Sequence, residues 1–180
     1  MQLTKQMETA LWLLISAALL TSLIPGGPIE NRDFSHIHPA VLGLFNVFLT
    51  TLDLGSIPLA IFAARGKRWA IQGAFAAATA YFAVYAVDLA QLFPRSPTPM
   101  SMALAGIEVL GMTVAVPLMF AARRALEADL RATETRRSFG MPLGWALTFV
   151  LVGGAIVWFA TDAAMSGAED ISSTAWETIR

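Results

Sequence analysis

Four acidic residues stand inside otherwise apolar stretches of the chain: Asp53, Asp88, Glu108 and Asp162. A carboxylate at the centre of a bilayer costs at least about 2.5–3.5 kcal/mol on insertion scales, so acids in such places mark ion, proton or ligand sites. No Lys or Arg lies within the same stretches to pair with them. Helical spacing adds companions. Asn46, Thr50 and Asp53 fall at i, i+4 and i+7, and Tyr81, Tyr85 and Asp88 repeat that stripe.

At about 1.5 Å of rise per residue, counted from the outer ends of the stretches, Asp162 lies about 5 Å deep, Asp88 about 8 Å, Glu108 about 12 Å and Asp53 about 21 Å. Asn46, Tyr85 and Glu108 therefore share a layer. Facing one another, they make a polar pocket open to the outside that would take a cation, a proton or a small polar solute. Carboxylates crowded into one site resist ionising together. The expected arrangement is a protonated Glu108 hydrogen-bonded to Tyr85 or Asn46, with Asp88 as the second acid. The plainer reading of Asn46, Thr50 and the tyrosines is interhelical bonding, worth about 0.6 kcal/mol each.

A second set lies in the segment from Glu30 to His38. His36-x-His38 with Glu30 and Asp33 nearby is a candidate site for Zn or Cu. Imidazoles two residues apart share a face only in an extended segment, and the chain has no third His. The alternatives are a polar interfacial loop, or histidines that pass protons at the pocket mouth. Arg32, between Glu30 and Asp33, reads as a local charge pair that shapes the loop. Haem is less favoured than Zn or Cu, because no His lies at mid-membrane depth to serve as an axial ligand. No nucleophile triad, phosphate-binding Gly loop or HExxH motif is present.

The elements that must position these groups are membrane helices. Five stretches approach or exceed the roughly 20 apolar residues a span needs: 8–24, 38–64, 69–93, 99–122 and 142–165. Prolines mark several starts and stops. Pro58 removes the bond to the carbonyl of residue 54, leaving a break or a kink beside Asp53. The first stretch alternatively reads as a secretory signal, but Thr21-Ser22-Leu23-Ile24-Pro25 lacks a small-x-small cleavage site.

Basic residues set the orientation. Lys5, Arg65, Lys67, Arg68, Arg123, Arg124, Arg131, Arg136 and Arg137 fall on one side, and Arg32, Arg95 and Arg180 on the other. Basic loops stay cytoplasmic, so the N-terminus is expected inside and the C-terminus outside a plasma or inner membrane. Residues 123–139 read as a basic cytoplasmic loop that extends the fourth helix, with i,i+4 pairs Arg123–Glu127 and Glu127–Arg131. Residues 166–180 read as a polar, acidic external tail.

Two helical hairpins resemble each other. Pro58 to Arg65 matches Pro117 to Arg123, Trp69-Ala70 matches Trp145-Ala146, and the endings at Asp88 and Asp162 correspond. A parallel duplication of the second-third and fourth-fifth spans would put a site at the repeat interface. Chance similarity among Ala, Leu, Val and Phe is the competing account.

Composition supports the membrane reading. Of 180 residues, 56% are hydrophobic and 14% charged, with a mean hydropathy of +0.61, whereas a soluble domain is about a quarter charged. A net charge of −1 gives no basic field for nucleic acid. The absence of cysteine removes disulfides, thiolate metal sites and Cys nucleophiles. The expected protein is an all-α membrane bundle of five transmembrane helices, N-terminus inside and C-terminus outside. Its expected site is Glu108, Asp88, Tyr85, Asn46, Asp53 and Asp162, with no resident cofactor. Beyond the lipid bilayer its expected partners are a second copy or a larger membrane complex. Three functions compete: a cation-, proton- or solute-binding protein, including a transporter; an accessory or assembly subunit; and an intramembrane enzyme using metal or lipid.

Overall fold

The structure, a computed structural model, describes residues 4–25, 29–30, 32–132 and 143–166. Five α-helices follow in order: α1 (Lys5–Thr21), α2 (Pro39–Ala64), α3 (Arg68–Leu89), α4 (Met102–Ala132) and α5 (Leu143–Ser166). No strand occurs among the described residues. Three of the helices, α2, α3 and α4, are long and apolar enough to cross a membrane. The helix α1 has 17 residues, short of the roughly 20 that a span uses.

Local chemistry accounts for the helix ends. Thr4 caps α1 by accepting from the Met7 N–H at 3.3 Å. His38 caps α2 through Nδ1, and Pro39 follows where its missing N–H costs nothing. Gly66, at φ +71°, lets the chain leave α2 while Lys67 N–H donates back to the Phe62 carbonyl. Pro58 does not break α2, which stays helical through Ala64. The helix α4 runs past its apolar part to Ala132, so the expected extension is present that far. Arg123 and Glu127 pair on it at 3.1 Å, both exposed. Residues 133–142 and the tail 167–180 lie outside the described residues.

The helices α1 to α4 pack as a four-helix unit, with α3 against α4 as the most extensive contact, and α5 flanks α2. The α3–α4 seam is built from small side chains, including Ala74 and Ala78 against Ala115 and Ala122, all fully buried. Such residues let helix backbones approach closely. The Ala76 side of α3 faces outward instead. The helix α5 is antiparallel to α2: Thr161 meets Asn46, and Gly153 faces Thr50 and Leu54. The two hairpins compared in the sequence thus pack differently. The α4–α5 contact that a repeat of α2–α3 requires is not among the substantial contacts of the described residues.

One feature of the bundle sets up the site. Thr21, the last residue of α1, bonds to Asp53 in the middle of α2. Fourteen residues separate Asp53 from Pro39, about 21 Å along the axis. Along the Pro39 half of α2, beyond the end of α1, the chain is non-helical, and Glu30, Arg32 and Phe34 of that segment are buried. Irregular backbone at such depth is tolerated where protein buries it or where it lines a cavity.

Gly111 is required by packing. A Cβ there would run into the Tyr85 ring. Gly106, on the same helix, faces open space. Gly111→Ala is expected to lower stability by about 1–3 kcal/mol through overpacking, and Gly106→Ala to raise it by up to about 1 kcal/mol through helix propensity. Thermal melts of the two purified variants check the contrast.

Candidate functional site

The site is organised by Arg32. Its guanidinium forks onto Asp88 of α3, Nη1 to Oδ1 and Nη2 to Oδ2, both at 2.8 Å. It also grips Glu30, with Nε donating at 3.0 Å and Nη2 at 2.6 Å, and its own backbone N–H donates to Glu30 at 3.0 Å. Phe34 lies against the cation, 5.2 Å from ring centroid to guanidinium carbon. Arg32, Glu30 and Asp88 are 4%, 6% and 16% exposed in their side chains. Burial by itself would favour a neutral guanidinium. The hydrogen bonds and charges of Asp88 and Glu30 outweigh it and hold Arg32 more firmly protonated than a free arginine.

Beneath this pair sits Glu108 of α4, 1% exposed. Its Oε1 is 3.9 Å from Arg32 Nη2, too far for a hydrogen bond. Neither oxygen of Glu108 has a hydrogen-bond partner among the described residues, and neither does the buried hydroxyl of Tyr85. The Tyr85 ring rests on the backbone of Gly111, one turn along α4 from Glu108. Asn46, Tyr85, Asp88, Glu108, Glu30 and Arg32 line one cavity of about 50 Å³. Above it an open vestibule of about 660 Å³ is bordered by Gln91, Arg95, Ser96 and Thr98. Arg32 and Pro94 line both spaces, so they form the partition between them.

The rim is tied down by a hydroxyl network. Thr98 Oγ1 accepts from the Asp33 N–H at 3.0 Å, and Ser96 donates to the Asp33 carbonyl at 2.8 Å. The segment that carries Arg32 is thereby fastened to the α3–α4 connection.

Of the residues expected from the sequence, Glu108, Asp88, Tyr85 and Asn46 meet around one cavity. Their bonds differ from expectation. Asn46 donates to Thr161 of α5 at 3.0 Å, and Glu108 bonds to neither Asn46 nor Tyr85 among the described residues. Asp53 lies apart, at the α1–α2 contact. Asp162 is exposed and does not join the cavity lining. His36 and His38 are both exposed, and His38 Nδ1 accepts from the Ala40 N–H at 3.2 Å. Among the described residues no three His, Cys, Asp or Glu side chains are placed to hold a metal. Sequence reasoning missed the insertion of Arg32. The local pair with Glu30 is present, but Asp33 turns away and accepts from the Ser35 N–H at 2.8 Å. The buried acids that lacked a cation within the spans take theirs from this segment. The signal was available: Arg32 is one of only three basic residues that the sequence reading set apart from the nine on the other side.

Removing one partner of a buried ion pair leaves the other charges uncompensated, at about 3–5 kcal/mol. Arg32→Ala is expected to lose that much stability. Arg32→Lys, which lacks the fork, should recover only part of it. A raised arginine pKa contributes stability below its ordinary value, and this is lost only as pH rises past it. The difference in melting temperature between wild type and Arg32→Ala should therefore stay flat from about pH 7 to 10.

No curated protein and no solved structure matches the chain. A family model described as a domain of unknown function (DUF8051) matches residues 5–138. The match takes in α1 to α4 with Glu30, Arg32, Asp88 and Glu108, and it ends before α5. Because it covers well over half of the sequence, the chain belongs to the DUF8051 family.

Proposed function

We propose that the protein is a small five-span membrane protein whose outward-facing acidic site binds and releases a proton, with Glu108 as the titrating group, in the service of transport. The observation that carries this reading is the carboxyl group of Glu108. It is fully buried, lacks a hydrogen-bond partner among the described residues, and sits below an arginine already committed to two other carboxylates. Such a group is costly as a bare anion and is relieved by a proton or a small cation.

Size narrows the ligand. The inner cavity holds about 50 Å³, enough for water at about 30 Å³ each, whereas pockets for organic ligands run to about 300–1,000 Å³. A proton or a water-sized cation fits, and a larger solute does not while Arg32 stays in place. The vestibule supplies the approach from the outer side.

The orientation reading also draws support from the bundle. Leu20 and Leu23 line the acidic cavity, while Lys5 stands at the other end of α1. Arg65 and Lys67 connect α2 to α3, Arg68 begins α3, and Arg123 and Arg124 lie in the C-terminal part of α4, all at the end away from that cavity. Basic loops stay cytoplasmic, which puts the acidic cluster outside.

Two measurements test these statements. A reporter active only outside the cytoplasm should be active when fused after Thr98 and silent when fused after Ala132, and the reverse pattern inverts the topology. In the purified protein, an infrared band of a protonated carboxyl group should titrate with pH and disappear in Glu108→Gln. A spectrum unchanged by that substitution removes Glu108 as the proton site.

A further inference from the structure

The cavity beneath Arg32 presents more unsatisfied oxygen than one proton serves. Both oxygens of Glu108 and the hydroxyl oxygen of Tyr85 are buried without a hydrogen-bond partner among the described residues. Each of these two residues is 1% exposed. Asn46 lines the same space, and its amide nitrogen donates to Thr161 Oγ1 of α5 at 3.0 Å. That bond spends the nitrogen end of the amide on α5 and leaves the carbonyl oxygen as the end free to accept or to coordinate. Side chains from α2, α3 and α4 therefore offer oxygen to one space of about 50 Å³.

Charge and size narrow what that oxygen would hold. Around Glu108 stand Arg32 and Glu30 from the segment before α2, Asp88 and Tyr85 from α3, the neutral Asn46 from α2 and apolar Leu20 from α1. Glu30 and Asp88 are both bonded to Arg32, so Glu108 is the carboxylate left over. Zn and Ca sites draw on several charged ligands. Among the described residues no three His, Cys, Asp or Glu side chains are placed to hold such an ion. One carboxylate with neutral oxygens beside it suits a hard ion of single charge. Oε1 of Glu108 is the oxygen that approaches the guanidinium, at 3.9 Å, which leaves Oε2 for the ion. A space of water size admits a sodium ion stripped of its shell and excludes an organic cation.

We propose that the cavity binds a dehydrated sodium ion in exchange for the Glu108 proton, with the Glu108 carboxylate as its charged ligand and Tyr85 Oη and Asn46 Oδ1 as neutral ones. The exchange balances. The O–H bond of Glu108 breaks, the proton leaves to water in the vestibule, and one sodium ion takes its place on the carboxylate. One positive charge enters as one leaves, so the charge facing Arg32 is unchanged and Glu108 is never a bare buried anion. Thr161 is then a positioning residue that acts on the ion through Asn46. This rests on Glu108 as the proton site and names the ion that competes for it.

The test follows the protonated carboxyl band of Glu108 in the purified full chain in detergent, at a fixed pH where the band is half-titrated in choline chloride. Sodium chloride then replaces choline chloride at constant ionic strength, with potassium chloride as a parallel series. Sodium should lower the ratio of protonated to unprotonated Glu108 about twofold at its dissociation constant and about elevenfold at ten times that concentration. Potassium, larger than the space, should leave the band near its choline value. Thr161→Val and Tyr85→Phe should weaken the sodium effect and Thr161→Ser, which keeps the hydroxyl, should restore it, each variant being read against its own choline titration. A band that titrates in choline but ignores sodium overturns the ion site and leaves the proton site standing. Potassium acting as strongly as sodium overturns the assignment to sodium. Full sodium sensitivity in both Thr161→Val and Tyr85→Phe places the ion elsewhere and overturns the site. A Glu108 band that does not titrate even in choline overturns the proton reading and the exchange together. The wild-type series alone decides the first two outcomes, so the proposal stays open to refutation even if a variant fails to fold.

Discussion

A single guanidinium holds the polar half of this molecule together. Arg32 spans Glu30 on its own segment and Asp88 on α3, and stands 3.9 Å above Glu108 on α4. Without it, carboxylates from separate helices would be packed side by side in a low-dielectric bundle, where repulsion and desolvation act in the same direction. Arginine suits the place because its planar fork bonds two carboxylates at once and stays charged when buried. Glu108 lies outside that hydrogen-bonding set.

The arrangement depends on where α1 stops. A first helix running the full length of α2 would fill the space that Glu30, Arg32 and Phe34 occupy. The helix ends level with Asp53 instead, and the following segment folds back into the bundle before α2 begins. The hydroxyl network of Asp33, Ser96 and Thr98 fastens that segment to the α3–α4 connection. The cavity, its partition and its vestibule thus derive from one early helix end together with one loop-to-loop clasp.

Much of this was legible in the sequence, and the gaps have physical causes. Apolar run lengths and prolines placed all five helices, with end errors of a few residues at Lys5, Thr21, Leu89 and Met102, where capping chemistry overrides hydropathy. Depth counting along straight helices put Asn46, Tyr85 and Glu108 in one layer, and the structure sets them around one cavity. Asp88 joined them by the same arithmetic. The method failed for Arg32 because helical periodicity says nothing about how a non-helical segment re-enters a bundle. It failed for Asn46 because the partner on α5, Thr161, lies 115 residues away, and a rotamer choice of that kind leaves no trace in spacing. The likeness of the two hairpins was compositional: α4 took its main contacts from α3 and α1, through alanine seams that any small-residue stripe would resemble.

The brevity of α1 also bears on the lipid around the protein. Seventeen helical residues extend about 25 Å at about 1.5 Å each, against a hydrocarbon thickness of about 30 Å. The 26 residues of α2 extend about 39 Å. In a bilayer, acyl chains beside α1 would meet a shorter helical wall than those beside α2. A bilayer accommodates such uneven walls by thinning locally or by letting the whole bundle lean.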